Sequence, residues 1–404
     1  MDNLSTEHIE YVAHPYEQKR LIALPFDPGP DVERLEISYR VNDGNVVDLG
    51  LKIGEETLGW SGGARQHIAV SENFATPGYR RGALPRGKGY VLLGLHKITT
   101  VCRIQVEIVR YNKALRWLRG DTHMHSEHSD GKLSIAALIA RARSLNHDFL
   151  CFTDHNTMTQ NREIDGINVP QCLIPGMELT TQLGHVNFLG VAQPVHSFLP
   201  SFSAAEIAQK MAEARSNGAW IGINHPFCQH CPWLLPFINF DWLELWNGPW
   251  EATTHNEATF QYWLQQLRLG QNIAVTAGSD FHKEKSLTLP TLAVHSRSAE
   301  RRDILHAIAS GRSYMQSHDD IRLRRFAAGD AGAGDTTVSP ALHVDLNVPA
   351  HHQVLLYTEK QVIELPHRSG VVQRDIHWAN SRFAFLRVND GSRAQLISNP
   401  IFRE

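Results

Sequence analysis

A chain of 404 residues with 42% hydrophobic and 20% charged residues has the composition of a globular protein long enough for two or three domains and a large core. A formal charge of −3 with a pI near 6.8 excludes bulk electrostatic attraction to nucleic acid or to an anionic membrane surface. No apolar stretch approaches the roughly 18 residues of a membrane span, and the polar, acidic first ten residues lack the basic-then-apolar order of a secretory signal. A cytoplasmic protein is expected.

Residues 1–116 read as β structure. Leu35, Ile37, Tyr39 and Val41 alternate with Glu36, Ser38 and Arg40, the period of a half-buried strand. Val47, Leu49, Leu51 and Ile53 repeat the pattern, as do Ile104, Val106 and Ile108. Strands interrupted by a Gly- and Arg-rich segment over 61–88 predict an N-terminal β-sandwich domain.

From Trp117 the texture changes. Apolar runs at 148–153, 171–177, 185–191, 219–224, 241–246 and 273–277 have the character of buried strands. Between several of them lie helix patterns. Ser134 precedes the stripe Ile135, Leu138, Ile139, Ala142 and Leu145. Ser203 with Glu206 forms a capping-box pattern, and Gly218 stands where that helix should stop. Two further helices are predicted, from about 255 to 269 before Gly270 and over 299–310 before Gly311. Alternating strands and helices over 117–317 predict a parallel β/α barrel, in which functional residues gather at the C-terminal ends of the strands. Beyond 318 the period returns to two, with Leu342, Val344, Leu346 and Val348 in one strand and Phe383, Phe385 and Val388 in a less regular one. This C-terminal β segment, 318–404, is expected to pack on the N-terminal domain or the barrel, and 327–340 to form a mobile loop.

Of the five cysteines, Cys102, Cys151 and Cys172 fall in apolar runs and read as buried thiols rather than a disulfide framework. Cys228-Gln229-His230-Cys231 has no second CxxC to complete a four-thiolate site, and reads as a pair of inert loop thiols.

The chemistry concentrates at strand ends. In order come Asp121-Thr122-His123-Met124-His125, Thr153-Asp154-His155, Gly176-Met177-Glu178, Asn224-His225-Pro226 and Gly278-Ser279-Asp280-Phe281-His282. His123 and His125 are two apart, so both face the same way on an extended strand. Asp130 sits in the turn Ser129-Asp130-Gly131 and can fold back to the same rim. His155 follows the next strand, and Glu178 has two oxygens with which to bridge two ions. His185, His225, Asp280 and His282 complete the set. Any one cluster alone has an ordinary explanation, as a surface HxH or a hydrogen-bonded Asp-His pair. All of them in sequence, each after an apolar run, point to metal. Nine N and O donors exceed the needs of one ion, so two to three divalent ions are expected. Imidazole with carboxylate suits Mn, Zn or Fe. Asp121 and Asp154 are placed to orient ligand histidines as acceptors. His128, between His125 and Asp130, is the candidate catalytic proton donor. Asn247 contacts substrate or makes a turn, and Arg65, Arg80 and Arg81 form a solvated basic loop or hold an anionic substrate.

The pattern HxH…SDG…TDH…GxE…H…NHP…GSDxH resembles that of the PHP (polymerase and histidinol phosphatase) superfamily of metal-dependent hydrolases, and within it the carbaryl-hydrolase branch, CehA/McbA-like. Gly59-Trp60-Ser61-Gly62-Gly63, Ala75-Thr76-Pro77-Gly78-Tyr79 and Ser398-Asn399-Pro400-Ile401 are similar to flanking segments of that branch. The resemblance implies a distorted (βα)7 barrel with a trinuclear site. His123, His125, Glu178 and Asp280 would hold one ion, Glu178, His185 and His225 a second, and Asp130, His155 and His282 a third. It implies a hydrolase using a hydroxide that bridges the ions sharing Glu178, acting on a small-molecule ester. A phosphoester, phosphodiesters above all, is the leading expectation. A carbamate or carboxylic ester is the alternative, for which Trp233, Trp246, Trp250 and Trp263 would supply aromatic walls. A silent metal-binding module is the third reading, and nucleic acid is not an expected partner.

Overall fold

The computed structural model describes residues 3–197, 199, 202–250, 255–283, 290–317, 320–367, 370–378 and 380–404. Its contacts divide into two units, the first made of residues up to Leu115 with 168–172 and 297–300, the second of 116–167, 173–296 and 301–404.

The first unit is built from two four-stranded antiparallel sheets. One runs in the order Leu4–Ala13, Cys102–Asn112, Val32–Arg40, His67–Ser71, the other Leu21–Phe26, Gly89–Lys97, Val46–Ile53, Glu56–Trp60. The period-two pattern explains the packing. Leu35 and Ile37 in one sheet and Leu49, Leu51 and Ile53 in the other are fully buried and belong to one apolar core, so the inner faces of both sheets pack as a sandwich. Gly59 makes a bridge to Tyr79, where a Cβ would lie 2.5 Å from the Tyr79 ring. The Tyr79 hydroxyl in turn donates to the Leu49 carbonyl at 2.8 Å. The two motif segments around 59 and 79 thus meet as a structural clasp. Arg80 pairs with Glu56 in the same unit.

The second unit contains five α-helices among the described residues: α1 Ile135–Ser144, α2 Thr159–Asp165, α3 Ala204–Ser216, α4 His255–Arg268 and α5 Arg301–Ala309. Ser134 caps α1 by accepting from the Ala137 N–H at 3.3 Å, and Ser203 with Glu206 closes a capping box on α3, as their spacing predicts. Gly176–Thr181, Gly184–Leu189, Trp220–Ile223, Trp242–Asn247 and Ala274–Gly278 form a five-stranded sheet in that order. Arg116–Asp121 pairs in parallel with Phe149–Cys151 and antiparallel with Thr291–Ser296 in a second, eleven-stranded sheet. Single parallel bridges, Met124 to Phe281 and His155 to Glu178, link the ends of the two sheets.

This is a mixed α/β arrangement, but the seven regular βα units expected of the barrel are not what the pairings draw. Gly176–Thr181 turns directly into Gly184–Leu189, leaving Gln182 and Leu183 between them, and the two strands pair antiparallel. A two-residue connection has no room for a crossover helix, so the chain must reverse as a hairpin. Gly184–Leu189 then pairs antiparallel with Trp220–Ile223, and within this five-stranded sheet parallel pairing begins only at Trp242–Asn247.

The predicted boundary at 318 lies outside the described residues. Beyond it, Arg322–Ala327, Ala341–Asn347 and Val371–His377 form a three-stranded sheet. Strand Arg393–Ser398 pairs with Ser313–Gln316, continuing the eleven-stranded sheet. Next to it, Asn399 exchanges two 2.9 Å bonds with the backbone of Val275. The segment 327–340, expected to be mobile, is held down. Thr336–Thr337 pairs with Ile401–Arg403, Gly334 donates to the Pro400 carbonyl at 2.7 Å, and Arg312 meets Asp335 at 3.0 Å. Its small, polar composition serves tight turns whose bonding partners are remote in sequence. No helix among the described residues is long and apolar enough to cross a membrane.

Candidate metal centre

The ends of Arg116–Asp121 and Ala274–Gly278 are drawn together by backbone chemistry. Buried Asp121 accepts from the N–H of His123 at 3.1 Å and of Ser279 at 3.0 Å, and the Thr122 hydroxyl donates to the Ala277 carbonyl at 2.9 Å. Gly278 permits the approach, since a Cβ there would lie 2.4 Å from that of His123 and 2.3 Å from Glu244 Oε1. His225 (φ 27°) and Asp280 (φ 49°) occupy left-handed backbone conformations that cost non-glycine residues on the order of 1–3 kcal/mol and persist only where surroundings enforce them.

The side chains converge in three overlapping sets. In the deepest, His123 Nε2 and His125 Nε2 are 3.1 Å apart. Asp280 Oδ1 lies 3.4 Å from the first and 3.0 Å from the second. Glu178 reaches both, at 3.5 Å and 3.6 Å. In the second set Glu178 Oε1 is 3.1 Å from His185 Nδ1 and 3.5 Å from His225 Nε2. In the third, Asp130 Oδ1 is 3.2 Å from His282 Nε2 and 3.7 Å from His155 Nε2. The Nε2 atoms of the two histidines are 3.5 Å apart. The structure therefore brings together all nine residues named from the sequence.

Whether such a cluster suits a cation is tested by its hydrogen bonding. Glu178 Oε2, Asp280 Oδ1 and His125 Nδ1 are buried without any hydrogen-bond partner, although Glu178 Oε2 lies 2.7 Å from His155 Nδ1 and Asp280 Oδ1 3.0 Å from His125. The two oxygens are close to their neighbours yet not directed at them, the arrangement of donors aimed at a shared point. Donors around a four-coordinate zinc with bonds of about 2.0–2.1 Å would stand roughly 3.3 Å apart, within the spread of the contacts above. Groups including His125–Asp130–His155–His282, His123–His125–Glu178 and His155–Glu178–His185 could each hold an ion. The residues fit divalent cations.

Electrostatics agree. Burial acts to lower His123, but the carboxylates of Glu244, Asp280 and Glu178 outweigh it and hold the ring well above the ordinary histidine value. Burial also opposes charge on Glu178 and Asp280, yet the surrounding imidazoles keep both well below the usual carboxylate range. For Asp121 burial prevails and its pKa is pushed up to about 6. A carboxylate-rich centre that stays ionised when buried is an attractive site for cations.

The supporting residues differ from those the sequence suggested. Asp121 holds backbone N–H groups rather than a ring. Asp154 accepts from Ser126 and Ser129 hydroxyls at 2.8–2.9 Å, pinning the turn that carries Asp130. The acceptor that orients a histidine is Glu244, missed in the sequence. Its Oε1 accepts from His123 Nδ1 at 2.9 Å, leaving Nε2 free for a cation. Its Oε2 takes the His225 N–H at 3.1 Å and the Asn247 amide at 3.0 Å. The available signal was a lone carboxylate inside the apolar run Trp242–Asn247. Asn224, also overlooked, donates to Glu178 Oε1 at 2.7 Å. His128 spends both ring nitrogens on α2, Nδ1 with Thr159 at 2.8 Å and Nε2 with Glu163 at 2.9 Å. Trp233, Trp246, Trp250 and Trp263 are buried at 0–7% exposure, packed into the protein instead of forming open aromatic walls. The CxxC is not remote from the centre, because Cys231 Sγ lies 3.7 Å from His225 Nδ1.

Residues 121–228 match the family model of the PHP domain. The match takes in His123, His125, Asp130, His155, Glu178, His185 and His225 and supports the PHP superfamily; Asp280 and His282 follow it in the chain. Among solved structures, a two-domain protein containing a predicted PHP-like metal-dependent phosphoesterase from Bacteroides vulgatus ATCC 8482 is similar at 15% identity and a TM-score of 0.42, over 71% of this chain and 96% of that one. A candidate metal-dependent phosphoesterase from Bifidobacterium adolescentis ATCC 15703 is similar at 17% identity and a TM-score of 0.30, over 42% of this chain and 89% of that one. No curated protein gives a significant match.

Proposed function

We propose that this chain is a metal-dependent hydrolase of the PHP superfamily, close to its carbaryl-hydrolase branch, with a trinuclear site acting on small-molecule phosphoesters, phosphodiesters in preference. The observation that carries the reading is the convergence of nine donor residues, among which the buried Glu178 Oε2 and Asp280 Oδ1 lack hydrogen-bond partners. His123, His125, Glu178 and Asp280 would hold one ion, Glu178, His185 and His225 a second, and Asp130, His155 and His282 a third. Divalent cations bound there supply an activated water at neutral pH and neutralise charge that develops on the substrate. Mn, Zn or Fe suits the donors.

The protein's own residues do the positioning. Glu244 fixes the His123 tautomer, and the Asp280 carbonyl, accepting from His282 Nδ1 at 2.8 Å, does the same for His282. Asn224 orients Glu178. His128, the sequence's candidate proton donor, would have to leave both Thr159 and Glu163 to reach a leaving group, and we assign it no step.

Accessibility favours an anionic substrate at the third set. The side chains of His123, His125 and Glu178 are fully buried, whereas those of Asp130, His282 and His155 are 59%, 29% and 23% exposed. Asp130, His155 and His282 would hold a cation where solvent reaches it, and that charge would favour an anionic phosphodiester over a neutral carbamate. The ester alternative keeps one observation of its own, a partly exposed stack beyond His225 in which Phe227 and Phe237 lie 5.3 Å and 4.7 Å from Tyr262, a wall suited to an aryl group. The deciding experiment is a screen of metal-reconstituted protein on p-nitrophenyl phosphomonoesters, phosphodiesters and carbamates. Phosphodiesters should give the highest kcat/KM, and Asp130→Ala should reduce that value more than it reduces carbamate turnover. A carbamate exceeding every phosphodiester, or an equal loss on all substrates in the variant, overturns the preference.

A further inference from the structure

The CxxC pair lies on the loop that leaves His225. The Cys228 N–H donates to the His225 carbonyl at 2.8 Å, and the Trp233 N–H to the Pro226 carbonyl at 2.9 Å, so the loop folds back on its origin. The thiols of Cys228 and Cys231 hydrogen-bond to each other, and the Cys228 sulfur also faces the backbone N–H groups of His230 and Cys231. Cys231 Sγ lies 3.7 Å from His225 Nδ1, while the other nitrogen of that ring faces Glu178 at 3.5 Å. The Cys231 sulfur thus meets His225 at the ring nitrogen that does not face Glu178, and it also lies within 4.8 Å of a ring nitrogen of His185. Both thiols are partly exposed, whereas Cys102, Cys151 and Cys172 are buried, so a reagent in solution meets this pair first.

We propose that Cys228 and Cys231 form a reversible disulfide, and that closing it withdraws the Cys231 sulfur from His225 and weakens metal binding. The second half rests on the metal reading above; the first does not. The oxidant is a small-molecule disulfide. The Cys228 thiolate attacks one of its sulfurs, forming a mixed disulfide and expelling a thiolate that takes up the displaced proton. Cys231 then attacks the Cys228 sulfur and expels the second small thiol. Two electrons and two protons pass from the protein dithiol to one disulfide, giving two small thiols. In the product the two sulfurs are held at about 2.0 Å, so the Cys231 sulfur is drawn to Cys228 and its contact with His225 Nδ1 is lost. Loss of a hydrogen bond behind a metal-binding histidine weakens affinity roughly 10–100-fold.

The test uses the full chain loaded with Zn or Mn and equilibrated in glutathione buffers of increasing oxidised fraction. Non-reducing peptide mapping reads the linkage, and competition with a chromogenic chelator reads the metal constant. The expected result is a Cys228–Cys231 crosslink, with the other three cysteines still reduced, and a metal dissociation constant raised about 10-fold or more. Cys228→Ser and Cys228→Ala should retain the affinity of the reduced protein. A glutathione adduct on Cys231 instead of ring closure, or no linkage in the most oxidised buffer, overturns the disulfide. Linkage with an unchanged metal constant overturns the coupling. A reduced protein that takes up no metal overturns the metal reading and the coupling with it, while the peptide map still decides the disulfide.

Discussion

Two interiors in this molecule are equally buried and obey opposite rules. Between the N-terminal sheets, Leu35, Ile37, Leu49 and Leu51 exclude water with side chains that need no partner. At the strand ends of the second unit, the same degree of burial is given to His123, His125 and Glu178, with polar atoms left unbonded. The first interior stabilises the fold in proportion to the apolar area it removes from water. The second carries a penalty of about 1–3 kcal/mol for each unsatisfied group, unless cations complete it. A fold keeps such a centre for chemistry, and the contrast can be broken experimentally at either end.

The largest effect should come from Glu178→Gln, which removes the charge shared by the first two donor sets. Turnover should fall by about three orders of magnitude, with bound metal lost and the circular dichroism spectrum preserved. Normal turnover in the folded variant would show that Glu178 holds no cation. Leu49→Ala is the opposite probe. It should cost about 2–5 kcal/mol of stability in denaturant titrations and leave the metal content of the folded fraction unchanged. Next, stripping metal with a chelator should lower Tm by several degrees, because a ligand at about 100 times its Kd adds roughly 2.7 kcal/mol to the native state. An unchanged Tm would mean that the centre is satisfied without ions. Glu244→Gln should have the smallest effect, raising the metal Kd about 10–100-fold while the protein still reaches full activity at high metal concentration. Proton competition sets the pH dependence of all these titrations. The neighbouring carboxylates hold His123 above its ordinary value, and metal must displace that proton. Affinity should therefore rise with pH above the ordinary histidine range and fall below it.

The same contrast explains what could be read in the sequence. The N-terminal sheets were legible because alternation at Leu35–Ile37 and Leu49–Leu51 reports directly which face is covered. Most of the nine donors were legible because they follow apolar runs, with Asp130 in the turn after the first and His185 opening another, and their order along the chain carries the signal. Glu244 was not, since one carboxylate in a buried strand has no spacing to mark it. Neither was the path of the sheet. The hairpin at Gln182-Leu183 and the antiparallel pairing of Thr291–Ser296 with Arg116–Asp121 depend on connections and partners that local periodicity does not encode. The place of Cys231 beside His225 was not legible for a related reason, because a loop's destination in space is invisible in the CxxC spacing.

The continuity of the eleven-stranded sheet has a practical consequence. Ser313–Gln316 is flanked by Thr291–Ser296 on one side and by Arg393–Ser398 on the other, and the Ser317 N–H donates to the Gln395 carbonyl at 3.1 Å. A fragment trimmed after residue 317 would keep every proposed ligand but would leave Ser313–Gln316 with an open row of backbone donors and acceptors. It would also lose the Asn399 bonds to Val275, in the strand that leads to Asp280. Exposed edges of that kind recruit further strands from other molecules. Such a minimal fragment should aggregate on expression, so the smallest workable piece of this chain that carries the nine donors must also carry its final strands.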